Sequence, residues 1–496
     1  MRDRVKADPH PILIHHLFAG ALQIDALASF QHLMRVNAVH VVLLDRCRVI
    51  ANRDAKALLG LYQQMMQAGP ECLDLDPKLE DLHFNVEAHV IRQLGEEVGG
   101  RMHTGRSRND LNATINRMRA REALLRLVQG THALRTVLLD RAEEHAEALM
   151  PGYTHLQPAQ PITFGYYLAA LADALERDSA RLEAVYERAN RCPLGAGALA
   201  GTGFPLDRRL GAELLGFDGL VENSLDAVAS RDHVLEALAA LAILGVTLSR
   251  LAHDLYVWVT DEFGFITLAD EVSAVSSIMP QKKNPVTLEH CKAKAAHMLG
   301  ALVSALGAMR ATPFSNVRDV NREGVYPLGE GVAQAEAAIA LMTVTIETLS
   351  VNPERMLARA RNDFSTVTEL ADTLVRIEGL PFRTAHRIVA EVVVETLQAG
   401  KPATAIDAEI LGRAAERVLG RSTTLDDSVV RRALDAWSNV LGRQTIGSAT
   451  PSETRRMVGR ARATLAVERE RLAERHTRLE AAGSALDEVI GRILAS

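Results

Sequence analysis

Five stretches of the chain, at roughly 112–149, 163–190, 228–260, 286–310 and 329–350, carry apolar residues at helical spacing for turn after turn. Leu168, Leu171, Leu175, Leu182 and Val185 fall on one helical face, and Leu134, Leu138, Ala142 and Leu149 do the same upstream. Stretches this long and this apolar exceed what a surface helix needs. They predict a central bundle in which each helix buries most of its circumference against its neighbours. Composition agrees: aromatics are only 4% of the residues while Ala and Leu abound, a mix that suits close-packed helices better than sheet.

A chain of 496 residues exceeds the size at which one core usually divides. Flanking the bundle, the pattern shortens. Residues 1–106 read as shorter helical segments with turn signals such as AGPECLDLDP. Beyond about 360, breaks fall at GLPF (379–382), GKPA (400–403) and GSATPSE (447–453). The tail after Ser452 is strongly charged, lacks a breaker until Gly483, and reads as an exposed or docking helix. The expectation is an all-α chain in three parts: 1–108, 109–360 and 361–496.

The formal net charge of −6, with no basic stripe, excludes a nucleic-acid binder and requires any anionic ligand to be met by a local cluster of donors. Four scattered cysteines without a CxxC pair point to a reducing compartment and to neither zinc nor a disulfide framework. PILIHHLFAGAL (11–22) reads as a structured segment rather than a leader, because two histidines interrupt it. The apolar run between Glu236 and Arg250 falls short of the roughly 20 residues that span a bilayer. A soluble, cytoplasmic protein without a membrane partner is expected.

Four polar islands interrupt the helices: HTGRSRND (103–110), PGYTHLQPAQP (151–161), PLGAGALAGTGFPLD (193–207) and AVSSIMPQKKNP (274–285). In the first, Asn109 or Asp110 would cap a helix beginning at Leu111. Ser107, Arg108 and Asn109 there combine charge, side-chain donors and free backbone N–H groups, an arrangement able to hold a carboxylate. In the second, Pro158 and Pro161 stiffen a loop around Thr154 and His155, which fixes an imidazole for acid–base work. The glycines of the third assign it a mainly structural role. The fourth places Lys283 and Asn284 at a helix start, where the dipole disfavours a cation unless an anion joins it.

SSIMPQKKNP resembles the signature loop of the fumarase/aspartase superfamily, and with HTGRSRND it resembles the argininosuccinate lyase branch. YTHLQPAQP, EDLHFNVE (80–87), NSLDAVASRD (223–232), TELAD (368–372) and GLPFRTAH (379–386) are similar to that branch too. The resemblance implies a three-domain helical fold, a homotetramer with a 20-helix core, and active sites shared among three subunits. It implies a C–N lyase that eliminates fumarate from a succinyl-type substrate, with no metal or organic cofactor. Ser277 would be the base. Ser107, Arg108, Asn109, Thr154, Gln160, Ile278, Met279, Lys283 and Asn284 would form the dicarboxylate cradle. His155, oriented by Glu289, would be the acid. Adenylosuccinate lyase and fumarase loops resemble MPHKRNP and MPGKVNP, unlike this one.

The half of the site that would receive the amine departs from the branch. DIxGSxAH is expected near the N-terminus, and LMRVNAVH stands there, with Leu33 and Asn37. In place of a Tyr, a Gln and a Lys, PFSNVRDVNREGV offers Asn316, Asn321 and Gly324, and Val286 replaces an Asp after KKNP. An unmatched guanidinium would cost several kcal/mol. The substitutions therefore favour an N-substituted aspartate whose amine arm is not arginine, such as ethylenediaminedisuccinate (EDDS), with Arg35, Arg318 or Arg322 meeting a distal carboxylate. Argininosuccinate is the alternative substrate, and a silent structural relative is the reading from another class.

Overall fold

The computed structural model describes residues 7–496. After a short helix and a π-helical turn (Ile14–Ala19), the chain runs into α1 (Gly20–Arg46), followed by α2 (Asn52–Ala68) and α3 (Leu82–Leu94). At 27 residues, α1 is longer than the segments expected in this region. Every residue from Val36 to Leu44 is buried, so its apolar residues do not form one stripe and its amphipathic signal is weak.

The five apolar stretches form the expected bundle. They are α4 (Arg108–Glu144), then, after the strands β1 (Leu149–Thr154) and β2 (Gln157–Thr163), α5 (Phe164–Ala189), α6 (Asp232–Trp258), and, after β3 (Ala274–Val275) and β4 (Lys283–Asn284), α7 (Val286–Met309) and α8 (Pro327–Thr348). The helix α4 packs on α5 and α8, α5 on α6, and α6 on α7 and α8. Leu138, Phe164, Leu241, Leu244, Ala335 and Met342 share their core. The first turns of α4 belong instead to the N-terminal core, where Leu111 and Met118 pack with Leu33, Leu58 and Val86. One helix thus joins two cores. Leu149, grouped above with the α4 pattern, opens β1, because α4 stops at Glu144.

Beyond the bundle come α9 (Pro353–Asn362), α10 (Val367–Glu378), α11 (Phe382–Gln398), α12 (Ala408–Leu419) and α13 (Asp427–Leu434). Gly379 ends α10 in the left-handed conformation (φ 66°), as the GLPF break predicts. Leu370, Ile388, Leu411 and Val430 form a third core. The tail is a single helix, α14 (Pro451–Ala495), continuous through Gly483. It docks along the bundle: Arg460 meets Asp173 at 2.6 Å, Arg462 meets Asp140 at 2.7 Å, and Arg471 meets Glu183 at 2.7 Å. Its end, Leu486 and Ile490, completes the N-terminal core.

Among the described residues two helices are long and apolar enough to cross a membrane, Pro11–Arg46 and Asp232–Trp258. The second extends well past the 236–250 run that sets the sequence expectation, and it is the buried α6 of the bundle.

Candidate active site

The first island closes more tightly than the sequence suggests. The helix α4 begins at Arg108, not Leu111, and Ser107 is its cap, in place of Asn109 or Asp110. Ser107 Oγ accepts from the Asn109 N–H at 3.2 Å, and the Ser107 N–H donates to Asp110 Oδ1 at 3.0 Å, a reciprocal capping box. The other oxygen of Asp110 accepts from Gly195 and Gly197 N–H at 3.0 Å each. These glycines have φ of 85° and 60°, so the third island serves to aim two backbone donors at a fully buried carboxylate.

Arg108 stacks on Phe84, 4.1 Å from the ring centroid, and pairs with Asp81 at 2.9 Å and Glu80 at 3.3 Å. The Asn109 amide donates to the Ala198 carbonyl at 2.9 Å and accepts from Asn316 at 2.6 Å, and Asn316 in turn accepts from Asn321 at 2.7 Å. Three residues expected in the site from distant parts of the sequence thus form one hydrogen-bonded relay.

Beside this array lies a nest that sequence reasoning missed, in which His40, His83, Arg106 and Tyr62 are buried and His103 is half-buried. His83 and His103 lie 4.8 Å apart between ring centroids. Burial, and then the Arg106 charge, holds His40 and His83 well below the usual imidazole range and His103 down to about 4. Burial pushes the Glu87 carboxyl at its edge upward. His83 and His103 stand in EDLHFNVE and HTGRSRND, but their spacing carries no sign that they meet.

The second island is a hairpin rather than a loop. β1 and β2 pair antiparallel, with Pro151 opposite Pro161, a pairing that asks neither residue for an N–H. Gly152 faces Gln160, whose carbonyl would lie 2.8 Å from an added Cβ. The turn is His155–Leu156, both left-handed (φ 55° and 57°), the geometry of a two-residue hairpin turn. It presents Thr154 and His155 exposed at the tip, while Gln160 accepts from Arg443 at 3.3 Å.

The signature loop is also a hairpin, its stem β3 paired with β4. Ser276 Oγ accepts the N–H groups of Ile278 (3.3 Å) and Met279 (3.0 Å), the two donors expected for a substrate carboxylate. Ser277 is exposed at the tip. Lys283 Nζ pairs with Asp270 at 2.7 Å and donates to the Leu268 carbonyl. The Lys283 ammonium beside Asp270 holds that carboxyl below its usual range. Glu289 accepts from the Tyr256 hydroxyl at 3.3 Å. Among the described residues no hydrogen bond joins His155 to Glu289, and none links the Asn109 relay, the His155 hairpin and the Ser277 loop to one another.

On the amine side, Leu33 and Asn37 are buried on α1, each 1% exposed, and neither polar atom of the Asn37 side chain has a hydrogen-bond partner among the described residues. Arg322 is paired with Asp25 at 2.8 Å, and Arg35 lies against Gly483 of α14. Arg318 stays exposed.

Residues 28–300 match the lyase family, and residues 364–440 match the argininosuccinate lyase C-terminal family. The chain is 45% identical to argininosuccinate lyase 1 of Shouchella clausii over 97% of each protein. It is 42% identical to the argininosuccinate lyase of Methanocaldococcus jannaschii over 84% of this chain and 85% of that one. An EDDS lyase solved with formate superimposes with a TM-score of 0.89 at 34% identity, covering 99% of this chain and 97% of the other. With the folded bundle and its three polar clusters, these likenesses establish that the chain belongs to the argininosuccinate lyase-like branch of the fumarase/aspartase superfamily and is a carbon–nitrogen lyase.

Proposed function

We propose that the enzyme releases fumarate from an N-substituted aspartate whose amine arm carries a further carboxylate, an aminopolycarboxylic acid such as EDDS. The observation that carries this reading is the pair Leu33 and Asn37. Both are buried on α1 where the resemblance puts an Asp and a Ser, so that helix turn offers a guanidinium no anionic partner. The Asn37 side-chain amide, lacking partners among the described residues, is free to hydrogen-bond a bound ligand. Arg318 is the exposed cation for a distal carboxylate, since Arg322 is already neutralised by Asp25.

In this mechanism Ser277, deprotonated and stabilised by neighbouring positive donors, takes the hydrogen from the carbon beside a carboxylate. The electron pair passes into that carboxylate, the C–N bond breaks, and His155 protonates the departing nitrogen. Ser107, Arg108, Asn109, Thr154, Gln160, Lys283 and Asn284 hold the succinyl half, joined by the Ile278 and Met279 N–H groups once Ser276 yields them. The three clusters come from different subunits of a homotetramer. Support comes from the bundle surface, where Ile243, Val246, Leu299, Val303 and Leu306 expose an apolar stripe along α6 and α7. Four free cysteines suit a cytoplasmic location.

A second reading, argininosuccinate cleavage, draws on the 45% identity to the Shouchella clausii protein. Incubation with EDDS and with argininosuccinate, followed by fumarate absorbance, separates the two. Faster fumarate release from EDDS is expected; rapid turnover of argininosuccinate alone overturns the first reading.

A further inference from the structure

A cleft of about 380 Å³ opens beside β1, lined by Glu262, Phe263, Phe265, Arg355, Arg359 and Asn362. Its two walls are α9 and the segment that follows α6. Arg355 and Arg359 stand one turn apart on α9, which aligns their side chains. Arg355 is anchored by its bonds to the Asp261 and Glu262 carbonyls, the latter at 3.1 Å, and packs over Gly264, which is left-handed (φ 57°). Phe263 and Phe265 meet edge to face, 5.5 Å between centroids, and form an aromatic floor.

The lining combines two guanidiniums, one carboxylate and an amide with an apolar floor. Guanidiniums take a carboxylate in a fork, and the Glu262 carboxylate takes an ammonium. A zwitterion with an apolar body matches all three features.

The cleft also touches the hairpin. Tyr153, next but one to His155 on β1, packs on Phe263 at 6.0 Å and on Phe265 at 6.5 Å. Burial pushes the Tyr153 hydroxyl up to about 12, and the Arg359 and Asp363 charges act on it in opposite directions. The strand leading to His155 therefore rests on both walls.

We propose that this cleft binds a free amino acid with an apolar side chain, and that its occupancy sets the position of the hairpin carrying His155. The effect on turnover rests on the elimination chemistry proposed above; the binding does not. Calorimetric titration of the full chain with L-phenylalanine, phenylacetate and phenethylamine tests it. Saturable binding of L-phenylalanine is expected below about 1 mM, with each fragment at least roughly tenfold weaker. Glu262→Gln weakens L-phenylalanine by about tenfold and leaves phenylacetate unchanged, while Arg359→Gln weakens both by a similar factor. Both side chains are exposed, so folding is not at risk. With EDDS, saturating L-phenylalanine changes kcat and leaves KM in place. Absence of saturable binding up to about 10 mM, or phenylacetate binding as tightly as L-phenylalanine, overturns the site. Binding with kcat unmoved overturns the coupling to His155. If no aspartate derivative is cleaved, the elimination reading fails while the calorimetric result stands.

Discussion

Lys283 Nζ lies 2.7 Å from Asp270 Oδ1, so the ammonium assigned to a substrate carboxylate is held by a carboxylate of the chain itself. Substrate must compete with Asp270 for it. The pair is solvent-accessible and screened by water, so Asp270 holds the ammonium only weakly. Asp270→Asn should therefore lower KM by up to about fivefold with kcat little changed. A raised KM would show that Asp270 positions Lys283 instead of competing for it.

Ser277 is exposed at the hairpin tip, where it supports no packing. Removing a nucleophile or base with its activating surroundings intact typically costs several orders of magnitude in rate. Ser277→Ala should lower kcat by about a thousandfold or more while melting temperature and oligomeric state remain those of the parent. Wild-type rates of fumarate release from this variant would remove Ser277 from the reaction.

Asn37 buries an amide with no partner at either atom among the described residues, a cost of about 1–3 kcal/mol that a bound ligand would offset. Asn37→Leu, which keeps the branching at Cγ and removes both polar atoms, should raise the melting temperature by a few degrees and lower kcat/KM for EDDS by about tenfold or more. Higher stability with undiminished turnover would make Asn37 a bystander.

The histidine nest makes the fold sensitive to acid. Histidines whose folded pKa is depressed contribute their full stability above the unfolded value and lose it as pH falls toward the folded one. For His103 that window runs from 6.5 down to about 4, and for His40 and His83 it extends lower. Glu87 and Asp110, pushed upward by burial, lean the other way at the acid end of the window. Between pH 6.5 and 5 the histidines dominate, so melting temperature should fall with pH there. His83→Phe, which removes two ring nitrogens without hydrogen-bond partners, should flatten that slope and leave stability at pH 7.5 within about 1 kcal/mol. An unchanged slope would place the acid sensitivity outside the nest.

Much of this architecture was legible from local pattern. The periodicity of Leu168, Leu175 and Leu182 located α5 to within a residue or two, and the glycine of GLPF ended α10 where expected. Of the residues motif chemistry picked out, the fold ties Asn109 to Asn316 and Asn321 and leaves His155 and Ser277 on separate hairpins. Legibility failed where an element is buried all round, as in α1, or built on pairing, as in the hairpin read as a loop around His155.

By itself the sequence determined which long segments are helices and, at breaks such as Gly379, where one stops, because helical hydrogen bonds, capping and apolar spacing are settled within a few residues. Only the tertiary structure decided who meets whom: Asn316 with Asn109 across 207 residues, Asp270 with Lys283, the orphaned amide of Asn37, and the return of α14 to the N-terminal core. Those contacts depend on the packing of distant surfaces and on the removal of water from between them, and no local pattern encodes either.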